Sequence, residues 1–237
     1  MFKNIVFTFI CLAFLGACDF GNQTNLATSP LESGKIFLAE GNKLRAEGET
    51  RAAKKSYTKA IIELEKAAKV NASQKGLASL LGQSQYRIRD FDNAIQWLNK
   101  AIKQDKEDVK SVQYLGYCLV NKSKMIEAEA SFKKAFSIDK SGAIKKESIA
   151  ELTEIGELSL SLGANFASQG NPAQGVQFKK LGMRILAMAL DYSDYDMDFA
   201  KKIQIYATDM QDQILMDWIA NIIANDGQRT ITIDVPQ

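Results

Sequence analysis

Apolar and polar residues alternate along this chain with different periods in different stretches, and each period predicts its own element. After Lys3, the 13 residues from Ile5 to Ala17 are all apolar or small, short of the roughly 20 that a transmembrane helix needs. Residues 19–33 (DFGNQTNLATSPLES) are polar and lack any period. They read as a flexible tether that spans on the order of 20 Å. From residue 34 onward the spacing of apolar residues predicts helices. Near the C-terminus Ile203, Tyr206, Met210, Ile214, Trp218 and Ile222 form a stripe at steps of three or four, which predicts a closing helix. The tail from Arg229 to Val235 alternates at period two, a short strand signal with no evident partner strand in the chain. It either pairs with another molecule or lies loosely, and the loose tail is favoured.

The middle of the chain repeats itself. Leu81-Gly82, Ala94 and Ala101 recur as Leu115-Gly116, Ala128 and Ala135, each 34 residues on. An upstream copy carries Gly41, Ala53, Tyr57 and Ala60. In repeats 34–67, 75–108 and 109–142 the eighth position is Gly41, Gly82 and Gly116, and the twentieth is Ala53, Ala94 and Ala128. The twenty-fourth is Tyr57, Leu98 and Phe132, and the twenty-seventh is Ala60, Ala101 and Ala135. Small residues at 8, 20 and 27 let two antiparallel helices approach closely, and a large residue at 24 fills the space between them. This pattern resembles the tetratricopeptide repeat. The resemblance implies an all-α fold, a right-handed α-solenoid of helix hairpins ended by a C-terminal capping helix.

Between the first and second copies the spacing lengthens by seven residues, two helical turns, so the helix through Ile61-Ile62-Glu63-Leu64 runs on with its buried face unchanged. Asn71 and Ser73 are placed to stop it and cap the next helix. Downstream, Gly163, Gly170 and Gly175 keep the spacing of positions 8, 15 and 20, which marks residues 156–189 as a degenerate fourth repeat behind a helical insert. The expected organisation is thus a leader at 1–17, a tether at 18–33 and three repeats over 34–142. The insert with its fourth repeat takes 143–189, and a cap and tail take 190–237.

Leu15-Gly16-Ala17-Cys18 closes the apolar leader and resembles the lipobox of bacterial lipoproteins. That resemblance implies cleavage before Cys18, lipid on its thiol and a mature protein anchored to a membrane, facing the periplasm. Asp19 resembles an inner-membrane retention signal and favours that membrane over the outer one. Cysteine usage agrees with an exported chain that does not depend on disulfides: Cys11 leaves with the leader and Cys118 is left alone, an expected core residue.

Composition narrows the chemistry. With 30 Lys+Arg against 28 Asp+Glu, the net charge of +2 is too small for binding nucleic acid through its phosphates. The absence of histidine removes Ser-His-Asp and Cys-His catalysis and every imidazole metal site. No catalytic residue, cofactor or resident metal is expected. Of the cluster Asp191, Asp194, Asp196 and Asp198, the last three begin like a calcium loop, but Phe199 and Ile205 stand where Gly and Glu belong. These aspartates read as a helix N-terminus, with a divalent-metal activity the minor alternative.

The family's groove-facing positions identify candidate partner-binding residues: Leu38, Asn42 and Arg45, then Gln83, Tyr86 and Arg87, then Lys110, Gln113, Tyr117 and Asn121. Amides and tyrosine hydroxyls suit the backbone of an extended peptide, and Arg and Lys suit acidic side chains. The expected function is a non-catalytic, lipid-anchored scaffold that holds a protein segment in its groove and assists assembly of an envelope complex. The alternative is an adaptor that recruits an envelope hydrolase. Oligomeric state is not encoded in any of these features.

Overall fold

The computed structural model describes residues 29–210 and 213–224, all in helices and their turns. The leader, Cys18, Asp19, the tether as far as residue 28 and the strand-like tail lie outside the described residues.

Helices α1 (Pro30–Ala46) and α2 (Thr50–Val70) form the first hairpin. Helices α3 (Leu77–Arg87) and α4 (Phe91–Gln104) form the second, and α5 (Val109–Asn121) and α6 (Met125–Ile138) the third. A longer pair, α7 (Ala143–Ser168) and α8 (Pro172–Tyr192), follows, and then α9 (Met197–Met210) and α10 (Gln213–Ala224). The architecture is an all-α solenoid of stacked hairpins, as the repeat pattern predicts.

Local chemistry sets the boundaries. Ser29 accepts a hydrogen bond from the Glu32 amide at 3.3 Å, and Pro30 opens α1 where its missing N–H costs nothing. Asp108 caps α5 through the Ser111 amide at 3.0 Å. Asn71 ends α2 as expected, but Ser73 does not cap α3; its amide bonds the Asn71 side chain at 3.0 Å, and Gly76 takes the cap position in a left-handed conformation. Within each of the four hairpins the turn residue at position 15 has positive φ: Gly48 at 81°, Arg89 at 69°, Ser123 at 59° and Gly170 at 82°. The turn between α7 and α8 thus shares its geometry with the turns of the first three hairpins.

Packing follows the small–large rule. A Cβ on Gly41 would lie 2.5 Å from the Tyr57 ring, one on Gly82 2.5 Å from Leu98, and one on Gly116 2.7 Å from Phe132. Position 8 therefore lies directly under position 24 in all three repeats. Between α7 and α8 the approach is closer still, because Gly156 and Gly163 meet Gly182 and Gly175 and each Cβ would reach opposing backbone.

Three boundaries differ from the sequence expectation. The tether does not extend to residue 33, because α1 already starts at Pro30; the extra turns of α2 present Leu64 to Gly34, and α1 lengthens to cover it. The insert at 143–155 is not a separate element but the first half of α7, one continuous 26-residue helix. The cap is two helices rather than one. Ala200, Ile203 and Ala207 of α9 and Ile219 of α10 are buried with Met183, Leu186 and Leu190 of α8.

A test of the register follows from the glycine contacts. Gly116→Leu forces the Phe132 ring aside and should cost about 1–3 kcal/mol by overpacking. Gly48→Ala meets nothing within 4 Å and should cost only the left-handed backbone penalty of about 1 kcal/mol. Thermal melting followed by circular dichroism checks both, and an unshifted Gly116→Leu would refute the register.

Candidate functional site

The first helices of the hairpins, α1, α3 and α5, present one side chain per turn toward the concave face, and the ten predicted groove residues lie on them. That face is not empty. Helix α7 lies along it, and its stripe of Glu147, Ser148, Glu151 and Glu154 meets the predicted positions from the other side.

Glu151 is the centre of this contact. Its carboxylate is 11% exposed and accepts from the Tyr86 hydroxyl at 2.7 Å, from Arg87 Nη1 at 2.9 Å and from Arg45 Nη2 at 3.3 Å. Arg45 also pairs with Glu154, and Lys110 with Glu147. Deeper in, Gln113 donates to the Tyr117 hydroxyl at 2.8 Å and to Ser148 Oγ at 3.1 Å. Arg87 Nη2 donates to the Tyr114 hydroxyl at 2.8 Å, and its guanidinium lies over the Tyr86 and Tyr114 rings.

Six of the ten positions (Arg45, Tyr86, Arg87, Lys110, Gln113 and Tyr117) are therefore engaged by α7. The remaining four are placed as follows. Leu38 is not a groove residue at all; it is buried with Tyr57 and Leu64 in the core of the first hairpin. Asn42 is exposed and accepts from the Tyr57 hydroxyl at 3.0 Å. Gln83 bonds Ser79 Oγ at 3.1 Å, and Asn121 donates to the Tyr117 carbonyl at 2.9 Å. Gln113 and Tyr117 are fully buried, so they act as internal struts and not as a surface offered to a peptide.

Burial shapes the electrostatics. Removal from water disfavours the phenolates and raises the Tyr86, Tyr114 and Tyr117 hydroxyls above their ordinary 10.0; Glu151 adds to this in all three. Burial works against the Arg87 charge, but Tyr114 and Glu151 outweigh it and the guanidinium stays protonated. Cys118 is buried in the core, and desolvation pushes its thiol up to about 12, so it is no nucleophile.

What α7 leaves open is a pocket of about 150 Å³, lined by Arg45, Arg87, Arg89, Asn121, Glu154 and Leu158 among others. Arg89 and Glu154 were not among the sequence candidates. Arg89 belongs to the turn rather than the helix, and the i, i+4 and i+7 spacing of Glu147, Glu151 and Glu154 was the signal for the insert. At the other end of α7, Asp196 caps α9 through the Phe199 amide at 2.8 Å, and Asp194 pairs with Lys145 at 2.9 Å. No three acidic or thiol groups among the described residues are arranged to hold a metal ion.

Residues 78–108 match the family model of the tetratricopeptide repeat. The chain is 29% identical over 136 residues to the small glutamine-rich tetratricopeptide repeat-containing protein 2 of Mycosarcoma maydis. That match takes in 57% of this chain and about 39% of the relative's length, so the chain spans well under half of it. Among solved structures, the MamA RS-1 ArsTM double mutant is similar at 12% identity and a TM-score of 0.42, over 82% of this chain and 94% of that one. The pilF protein of Pseudomonas aeruginosa is similar at 14% identity and a TM-score of 0.38, over 84% and 78% of the two chains.

Two outcomes test the α7 contact. Glu151→Ala strands the Arg87 guanidinium, which is 10% exposed, and should cost about 3 kcal/mol. Glu154→Ala, on a side chain 63% exposed, should cost under about 1 kcal/mol; urea midpoints separate the two. The buried phenols and Cys118 hold their protons more tightly folded than unfolded. Stability should therefore be flat to about pH 9 and then fall as pH rises toward 12, because the unfolded state loses those protons first.

Proposed function

We propose that this chain is a non-catalytic scaffold, lipid-anchored through Cys18 on the periplasmic side of a bacterial membrane, that holds a protein segment and helps assemble an envelope complex. The observation that carries the reading is the concave face. Three hairpins in tetratricopeptide register set Arg45, Arg87 and Arg89 around a pocket still open beside α7. A row of cations and amides supported by a rigid repeat stack suits recognition of a protein segment, with no substrate to transform. Anchoring rests on Leu15-Gly16-Ala17-Cys18, and Asp19 favours the inner membrane.

Compared with the sequence reading, the binding surface is narrower. Gln113, Tyr117 and most of Tyr86 are closed off, so the segment is held along the flank of α7 rather than in a full groove. Leu158, 44% exposed on that flank, offers apolar contact beside the arginines.

Photocrosslinking in the membrane-anchored protein tests the scaffold. Probes at Asn42 and Leu158 should capture a partner that a probe at Lys133 on α6 does not; capture at Lys133 alone would overturn the reading. Mass spectrometry of the N-terminal peptide tests the anchor, with an acylated Cys18 as first residue expected. An uncut leader or an unmodified thiol would refute it.

A further inference from the structure

We propose that the pocket between the α3–α4 turn and α7 binds a carboxylate side chain of the partner segment, with Arg89 as its principal ion-pair partner and the adjoining apolar recess taking the next residue. This deepens the scaffold reading and rests on it.

Charge is the first argument. Three guanidiniums, Arg45, Arg87 and Arg89, line the pocket against two carboxylates, Glu151 and Glu154. Glu151 is shared by Arg45 and Arg87, and Glu154 is held by Arg45. Arg89 is left over. It is exposed, its guanidinium lies 5.5 Å from the Phe91 ring centre, and no carboxylate among the described residues pairs with it. The pocket thus carries one uncompensated positive charge at its mouth.

A second, independent observation concerns the wall behind it. Arg87 is nine-tenths buried, yet its Nε has no hydrogen-bond partner, although both terminal nitrogens are bonded. That Nε is itself closed off from the pocket, so Arg87 offers an entering carboxylate its charge through the wall and not a new hydrogen bond.

Size decides the class of occupant. About 150 Å³ is the volume of an engineered cavity that takes one benzene, whereas sites for whole small-molecule ligands run from about 300 Å³ upward. One side chain fits; a nucleotide or a disaccharide does not. Directly beside it a smaller recess of about 50 Å³ shares Arg89, Asn121 and Leu158 and continues over Leu162, Phe178 and Leu181. The wall therefore turns from basic to apolar along α7, and the matching segment places an Asp or Glu next to an apolar residue. Glu151 already shows the chemistry from inside the protein, since a carboxylate on this face collects Arg45, Tyr86 and Arg87 at once.

Arg89 also offers a clean test. Its φ of 69° is a conformation that glycine adopts freely, as Gly48 and Gly170 do at the same position of other repeats. Arg89→Gly therefore removes the guanidinium while relieving the backbone. Random peptides displayed on phage are selected against the detergent-purified full chain, and one enriched peptide is synthesised for titration. The expected peptides carry Asp or Glu beside a small apolar residue such as Ala or Val, the size that a recess of about 50 Å³ admits. The synthetic peptide should bind Arg89→Gly about five-fold and Arg89→Glu at least about ten-fold more weakly, and more weakly at raised salt. Arg89→Gly should melt no lower than the parent. Lys133→Glu, the same charge change on α6, should leave affinity unaltered. Enriched peptides without an acidic residue, affinity indifferent to Arg89→Gly, or an equal loss in Lys133→Glu would each overturn the pocket while leaving the scaffold reading standing. Retention of no peptide at all by the parent would overturn both.

Discussion

Two helices can pack with side chain against bare backbone only where one of them lacks a Cβ, and that constraint governs this molecule. Gly41, Gly82 and Gly116 let Tyr57, Leu98 and Phe132 sit directly on the opposing helix, fixing how closely each hairpin closes. Hairpins of one closure stack with one offset, and the offset curves the array. The curvature brings α1, α3 and α5 onto a common face. Where α7 and α8 press glycine against opposing backbone on both sides, the fourth hairpin closes tightest.

The face created by that curvature is polar, and the chain fills much of it from within. A buried Arg87–Glu151 pair gives up two hydration shells, and the return depends on every remaining donor and acceptor being met. Most are: Tyr86, Arg45 and Tyr114 complete the set around the pair. Aromatic packing beneath it, with Tyr86 edge-on to Tyr114 at 5.3 Å and Tyr117 beside Phe132 at 5.4 Å, keeps water from the hydrogen bonds. A network of this kind sets which helix lies on the concave face more than it adds to stability. An apolar stripe on α7 could slip by a turn; Glu147, Glu151 and Glu154 each have one address.

The repeat register was legible in the residues because close helix contact leaves a mark at fixed spacing. Positions 8, 20, 24 and 27 are short-range consequences of a single hairpin, and so is the seven-residue extension of α2. The concave site was legible only in part. Arg45, Arg87 and Lys110 were identified by position, but their partners lie 106, 64 and 37 residues away on α7, a separation across which local periodicity carries no information. Leu38 was misplaced because the fifth position is buried in every repeat, as Ser79 and Gln113 also are, and in the first repeat an apolar side chain there joins the core. Arg89 escaped notice because it occupies the turn position where a glycine is the usual choice, and nothing in a helical period draws attention to a turn.

Helix α7 gives the arch a property that the hairpins alone would lack. At about 1.5 Å per residue its 26 residues make a rod of roughly 39 Å, packed on α8 through both halves and tied to side chains of α1, α3 and α5 through its first half. Repeat arrays without such a member deform like springs, each hairpin rocking slightly on the next. Here the rod ties the arch across its open side, as a tie beam ties a roof. Opening the arch would break the buried Arg87–Glu151 pair together with the two exposed pairs beside it, Arg45–Glu154 and Lys110–Glu147.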